Sequence, residues 1–437
     1  MTKNFRFLLP AAAGVASLLV LSGCAVTETS GARPTSSSTD SASMKTASLD
    51  QTQVHEIAIT VDETALTEMI QTYLDTGEKE WVSASVTIDG ETFDNVGIKL
   101  KGKSSLRSIT VDTPAQDLPL RIRLDKYVDG QEFAGISDFT IRSNSSETSM
   151  NEAVALDLLS EAGLASTLAI ATRVSVNGSE EALTLTVQNL DDTWVDDYFP
   201  DAGGDSVLYK AEADGEWSWQ GEDADYSASF DIEAGADDYQ PLIDLLDLVN
   251  NGSAEKIAAE LPGMLDIDSF ATYLAFEEVI DNFDDIDGPG NNAYLFWDSS
   301  TGRFTVVAWD HNLAFGGSPT GGGPGGQRPD GEQGERIGDP DQAPPFGGGA
   351  GAQNAGGPGG MTRDNPLVSA FTANSEWLAL YESRVTELES SLIDSGTLEA
   401  SVDEWENTLT AGASDLVADE TITTEGDAIL ASAATAD

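Results

Sequence analysis

Between Ile280 and Gly316 the chain runs IDNFDDIDGPGNNAYLFWDSSTGRFTVVAWDHNLAFG, and no other stretch narrows the available folds as much. Two apolar runs, Ala293–Trp297 and Phe304–Trp309, flank the turn Asp298-Ser299-Ser300-Thr301-Gly302 and read as a β-hairpin. A hairpin fixes both its ends in space, so the loop before its first strand meets whatever follows its second. That loop is broken by Gly and Pro and carries Asn282, Asp284, Asp285 and Asp287, while Asp310 follows the second strand. Acids placed in this way, with Asn292 at the strand entrance, suit a site where one carboxylate holds a divalent metal and another orients a nucleophile. An Asp ending a strand is equally suited to forming a turn.

The pattern Asn282-x-Asp284, Asn292-x-Tyr294-Leu295 and Trp309-Asp310-x-Asn312-x-x-Phe315-Gly316 resembles the CotH (spore coat protein H) kinase family. Upstream, Val96-Gly97-Ile98-Lys99-Leu100-Lys101-Gly102-x-Ser104-Ser105, Leu120–Tyr127 and Val176-Asn177-Gly178 follow in the family's order, so the likeness spans roughly residues 55–410. The resemblance implies an α+β, atypical protein-kinase-like fold with a sheet-rich N-terminal lobe and a mainly helical C-terminal lobe. It implies ATP as donor, Mg²⁺ or Mn²⁺ as metal, and a Ser/Thr hydroxyl of a surface or secreted protein as acceptor. Asp284 falls at the family's catalytic Asp and Asp310 at its metal-binding Asp. Asn292 is expected as a second metal ligand, since an amide oxygen suits Mg²⁺ and adds no charge. So sparse a set suffices because phosphoryl transfer needs alignment and charge neutralisation more than covalent help. Three positions depart from the family pattern: Lys103 stands where Asn is usual, Ala308 where Pro is, and Gln188 where many relatives carry Glu.

A kinase also needs cations on the phosphates. Lys99, Lys101, Lys103, Arg107, Arg121 and Arg123 crowd into one short stretch of a chain with only 21 basic residues against 76 acidic ones. On a strand, Lys99 and Lys101 share one face, and Ile98 and Leu100 the other. Lys101 and Arg121 are the expected phosphate contacts, and Glu152, on a following helix, is expected to orient one of them. The plain alternative is a solvated strand face.

The formal charge of −55 argues against binding nucleic acid or anionic lipid through a general electrostatic patch. At the start, Lys3 and Arg6 precede the apolar run Phe7–Leu21, and Leu21-Ser22-Gly23 leads to Cys24, the one cysteine in the chain. This resembles a bacterial lipoprotein signal, with 1–23 removed and Cys24 lipidated. The mature charge would then be 19 − 76 = −57. Residues 24–50, rich in Ser, Thr, Ala and Gly, read as a disordered tether, which implies an extracytoplasmic, membrane-anchored monomer.

The folded domain is expected over 51–415. Strands are expected at His55–Val61, Val82–Ile88, Val96–Lys101, Leu118–Leu124 and Asp138–Ile141, with the Asp89-Gly90 turn among them and a helix at Glu63–Leu74. A helix follows over Thr148–Gly163, its start read as a capping box of Ser149 and Glu152. Thr172–Val176 and Ala182–Gln188 form a hairpin about Asn177-Gly178, and Ser206–Lys210 is a further strand. Helices are expected at Leu242–Val249, Ala254–Leu261, Ile267–Val279, Asn365–Phe371, Ser375–Ser390 and Leu398–Ala413. Residues 317–360 form a Gly/Pro/Gln-rich insert unable to build a core, and 416–437 read as an acidic tail.

Other chemistries fit poorly. An EF-hand placed on Asp285-Ile286-Asp287-Gly288 would put Phe283 and Tyr294 at its first and twelfth positions, and neither supplies a carboxylate. A looser Ca²⁺ site stays open. His311 reads as a packing residue beside Asp310 rather than a base. Two rival classes stay open: a non-catalytic surface-binding or assembly protein, favoured by Gln188 and opposed by the intact Asp284, Asn292 and Asp310, and a metal-dependent phosphohydrolase or other nucleotide transferase, which would share that acidic set.

Overall fold

The computed structural model describes residues 49–289, 291–317 and 365–433. The leader, Cys24, most of the tether and nearly all of the glycine-rich insert lie outside the described residues.

The N-terminal half is built from strands whose side chains alternate in burial. Strand β1 (His55–Val61) buries every second residue, the period expected of a half-buried strand. It is followed by helix α1 (Glu63–Thr76), started by Asp62, whose carboxylate accepts from the amides of Thr64 and Ala65, and stopped by Gly77 at φ 81°. Strands β2 (Val82–Ile88) and β3 (Glu91–Leu100) form a hairpin through Asp89 and Gly90, both at positive φ as a tight primed turn requires. With β4 (Leu120–Arg123), β5 (Asp138–Ile141), β6 (Ala169–Val176) and β7 (Ala182–Gln188) they close a barrel in the order β1-β2-β3-β4-β5-β7-β6. Closure comes from parallel pairing of β1 with β6, Ile57 opposite Val174. Ile57, Ile59, Val86, Ile98, Leu100, Ile122 and Ile141 fill the interior. The outer face of β3 and β4 is left with Lys99 opposite Arg121.

A second sheet, order β11-β10-β8-β9, is antiparallel throughout: β8 (Val207–Ala211), β9 (Phe230–Gly235), β10 (Ala293–Asp298) and β11 (Arg303–Ala308). Around it lie α2 (Met150–Glu161), α3 (Asp192–Tyr198), α4 (Gln240–Asn251), α5 (Ala254–Met264), α6 (Ile267–Val279), α7 (Pro366–Thr372), α8 (Ser375–Leu388), α9 (Thr397–Ala413) and α10 (Asp419–Ala433). Helix α6 packs on β11 and α8, and α2 on α9 and α10. The fold is therefore α+β, as expected. The sheet-rich N-terminal region is a closed barrel, which the strand pattern does not reveal.

Two local expectations are corrected. Ser149 adopts a left-handed φ of 54° and its side chain caps nothing. The first helical amide, Met150, donates instead to the Thr148 hydroxyl oxygen (3.1 Å), and the residues before the helix are held by Glu425 of α10, which accepts from the amides of Glu147 (2.9 Å) and Thr148 (3.1 Å) and from the Thr148 hydroxyl. The segment expected as a tail thus carries a packed helix, with Ile422 and Ile429 wholly buried. Elements α3 and β9 had no counterpart in the sequence pattern.

Candidate active site

Strand β11 ends at Ala308; the buried Trp309 follows, and Asp310 then turns the chain at φ 68°, ψ 59°, a conformation Asp tolerates better than most residues. The turn leaves the Asp310 carboxylate 29% exposed, with Oδ1 3.1 Å from Nη1 of Arg142. Arg142 follows β5 and lies with its guanidinium 4.8 Å from the centre of the Trp309 ring. Its other nitrogen, Nη2, bonds to Oε1 of Glu152 on α2. Burial works against the Arg142 charge, but Glu152 and Asp310 hold its pKa above the ordinary value. For Glu152 burial wins, pushing the carboxyl upward despite Arg142 beside it. Glu152 therefore pairs with Arg142, and not with Lys101 or Arg121, the two cations expected for it.

Arg121 is corrected more fully. Its Nε lies 3.0 Å from Oδ1 of Asp138, its Nη2 2.8 Å from Oδ2, and its Nη1 3.3 Å from Oε2 of Glu233. Two carboxylates consume its charge, and it braces the barrel strands β4 and β5 to β9 of the second sheet. Lys101, just past β3, is different. Its Nζ lies 5.7 Å from the Trp309 ring centre, and among the described residues it has no carboxylate in ion-pair reach. The residue keeps some exposed surface, but enclosure of its ammonium end, then the nearby charge of Lys210, pushes its pKa down to about 7. Lys99 sits over Trp81 at 4.7 Å and is also shifted down, by burial and then by Arg121.

The Asp284 loop leaves the end of α6 under tight backbone control. Nδ2 of Asn292 donates to the Asp284 carbonyl (2.9 Å), its amide to the Asp285 carbonyl (3.0 Å), and the Ile286 amide to the Tyr273 hydroxyl (3.1 Å). Gly288 is required here, since a Cβ would stand 2.5 Å from the Phe283 carbonyl oxygen. Asp284 and Asn292 are half-buried. Asp285 is forced far above the usual carboxylate range by burial, then by Asp287 and Glu277.

The hairpin register brings these parts together. Ala293 pairs with Ala308, so Asn292 and Trp309-Asp310 leave the same end of the sheet. The segment after Asp310 returns to α6, the Phe315 amide donating to Ile280 (2.6 Å) and the Gly316 amide to Asp281 (3.2 Å). Asp284, Asn292, Asp310, Glu152 and Lys101 thus gather around Trp309 and the hairpin end, while Arg121 is spent on its carboxylates.

The donor set can be tested against a metal and a phosphate ligand. Among the described residues no three His, Cys, Asp or Glu side chains converge as a ready cation cage. Mg²⁺, however, commonly takes one or two protein oxygens and completes its shell with phosphate and water. Asp310 is partly exposed, and Asn292 has its amide nitrogen engaged, which leaves its oxygen available. Five buried polar atoms in this region lack any partner among the described residues: Nε of Arg142, Oδ1 of Asn144, Oδ1 of Asn151, the Tyr294 hydroxyl and Nδ1 of His311. Buried polar groups are nearly always satisfied, so such a cluster marks a place for water, ion or ligand. The residues fit a metal that arrives with its phosphates.

Sequence reasoning missed Arg142, Asp138, Glu233 and Glu277. Arg142 alone carried a signal, a scarce cation directly after a strand. The family model described as CotH kinase protein matches residues 98–424. No curated protein matches the chain.

Proposed function

The chain belongs to the CotH kinase family, and from that premise we propose that it is an atypical protein kinase that moves the γ-phosphoryl of ATP to a Ser/Thr hydroxyl of a surface or secreted protein. The carrying observation is the meeting of the Asp284 loop, Asn292 and the Arg142-bound Asp310 at one hairpin end, beside a lysine with no carboxylate partner among the described residues. In this reading the barrel and the helix-covered second sheet stand for the two kinase lobes. Asp284 orients the acceptor hydroxyl and takes its proton. Lys101 places positive charge on the phosphates. Arg142, fixed by Glu152, holds the Asp310 carboxylate in its left-handed turn. A divalent metal bound by Asp310 and Asn292 would supply charge neutralisation at the phosphates.

The test is label transfer from γ-labelled ATP by the purified chain, with Mg²⁺ or Mn²⁺. Transfer to itself or to a generic acceptor should vanish in both Asp284→Ala and Asp310→Ala. Absence of both transfer and ATP-dependent thermal stabilisation, with the variants folded, would refute the kinase reading. A second reading, a non-catalytic surface-binding protein, draws on Arg121, whose charge is consumed by Asp138 and Glu233. Its signature is stabilisation by ATP without transfer.

The leader and Cys24 extend the proposal to an extracytoplasmic protein anchored in the bacterial membrane by lipid. Cys24→Ser should move the expressed protein from the membrane to the soluble fraction. An unchanged distribution would count against the anchor.

A further inference from the structure

We propose that Glu277 is a positioning residue that holds the Asp284 loop and the Asp310 loop in one fixed relation. Glu277 lies near the end of α6 and is 2% exposed. Each of its carboxylate oxygens serves a different loop. Oε2 accepts from Nδ2 of Asn282 at 2.8 Å, and Oε1 lies 3.2 Å from Nε2 of His311. Asn282 stands two residues before Asp284 and accepts from its amide at 3.4 Å, while His311 directly follows Asp310. His311 is fully buried, with its ring edge-on to Phe276 of the same helix, 5.9 Å between centres.

The chemistry favours a positioning role over simple packing. A carboxylate taken out of water is costly, and apolar side chains of similar volume often serve stability as well or better. What an apolar residue would lack is two acceptors at fixed separation on one rigid helix. The backbone bonds from Phe315 and Gly316 to Ile280 and Asp281 tie the chain some residues beyond Asp310. They leave the turn at Asp310 itself to side chains. On one side that turn is held by Arg142, and behind it by Glu277 through His311. Glu277 is bonded to both loops at once, beside the Asn292 and Tyr273 bonds within the first and those from Asn151 (2.6 Å) and Ser145 (3.0 Å) to the Asn312 carbonyl in the second, so its loss loosens the two together. A displacement of about 1 Å between reacting groups costs on the order of 100-fold in rate.

The catalytic half of this inference rests on the kinase reading; the structural half does not. The experiment therefore measures amide hydrogen exchange across residues 282–292 and 310–316, with label transfer beside it, in the full chain and in Glu277→Ala and Glu277→Gln. In Glu277→Ala exchange should quicken in both loops together while the barrel strands keep their protection. Transfer should fall about 100-fold in kcat, with a smaller change in the KM for ATP. Glu277→Gln keeps an acceptor for Asn282 and should recover part of both effects. If the wild-type chain transfers nothing but both loops loosen together, the kinase reading fails and the positioning role stands. If the loops keep wild-type protection, or only one loosens, the positioning role is overturned whatever the activity. Should Glu277→Ala fail to fold, Glu277→Gln is read instead: with one amide oxygen for two loops it should quicken exchange in at least one of them, and wild-type protection in both would overturn the positioning role.

Discussion

An ammonium group enclosed by protein, with no carboxylate in ion-pair reach among the described residues, sheds its proton early, and Lys101 is in that position. Its pKa falls to about 7, with burial as the main cause and Lys210 next. In the unfolded chain the group titrates near the ordinary lysine value, about 10.4. Between those two values the unfolded state binds the extra proton, so stability rises with pH across that window. Below pH 7 the folded protein carries the full cost of a buried charge. Lys101→Met should therefore raise the melting temperature at pH 6 by a few degrees, roughly 2–4 °C for each kcal/mol recovered. That gain should shrink by pH 9. An equal gain at both pH values would show that the ammonium is not the source. With ATP the sign reverses, because phosphate favours the charged form, and the wild-type stabilisation by ATP should weaken as pH rises. Asp284 and Asp310 were read in the sequence through the family resemblance, Lys101 through the matching motif, and Asn292 from its place at the strand entrance. The fate of Arg121 was not, since its partner Glu233 lies 112 residues away and no local pattern links them.

Strands and helices were readable wherever burial is one-sided. The bounds of β1 and β2 follow from alternation, while β5 and α6 are buried on nearly every side and read simply as apolar runs. Strand β9 escaped because its burial does not alternate and its pairing with β8 slips at Leu208/Tyr209. Helix α10 escaped because its apolar face is thin: Ile422, Gly426 and Ile429 are its buried residues. Gly426 lets α10 approach α9 closely, since a Cβ there would meet Oε1 of Glu406 at 2.0 Å. The helix has a second task through Glu425, which covers the exposed amides before α2. Because α2 carries Glu152, this contact reaches the Arg142–Asp310 pair. A hydrogen bond contributes about 0.5–1.5 kcal/mol, and one to a charged acceptor somewhat more. Glu425→Ala should lower the unfolding free energy by about that much, read as a lower denaturant midpoint at unchanged slope. Glu425→Gln should lose less. An unaltered midpoint for Glu425→Ala would remove α10 from the support of the site.

At the scale of the whole molecule, what the sequence hid was closure. Strand β1 joins β6 across more than a hundred residues, and periodicity identifies strands without naming their neighbours. Charge, by contrast, is legible from composition, and it sets how this fold should respond to salt. With 76 acidic residues against 21 basic ones, most surface acids face other acids rather than partners. Compaction brings those like charges within each other's field and costs free energy that the extended chain avoids. Two of the ion pairs, Arg121–Asp138 and Arg142–Glu152, are buried and so are screened little. Added salt therefore removes repulsion more than attraction. As the screening length contracts from about 30 Å at 0.01 M to about 10 Å at 0.1 M, the melting temperature should climb by several degrees. NaCl and KCl should act alike if screening is the cause. A fall with salt would mean that surface ion pairs outweigh the net charge, and a response to only one cation would mean specific binding. Over the same range stabilisation by ATP should diminish, because Lys101 and its neighbours attract phosphate through the field that salt weakens.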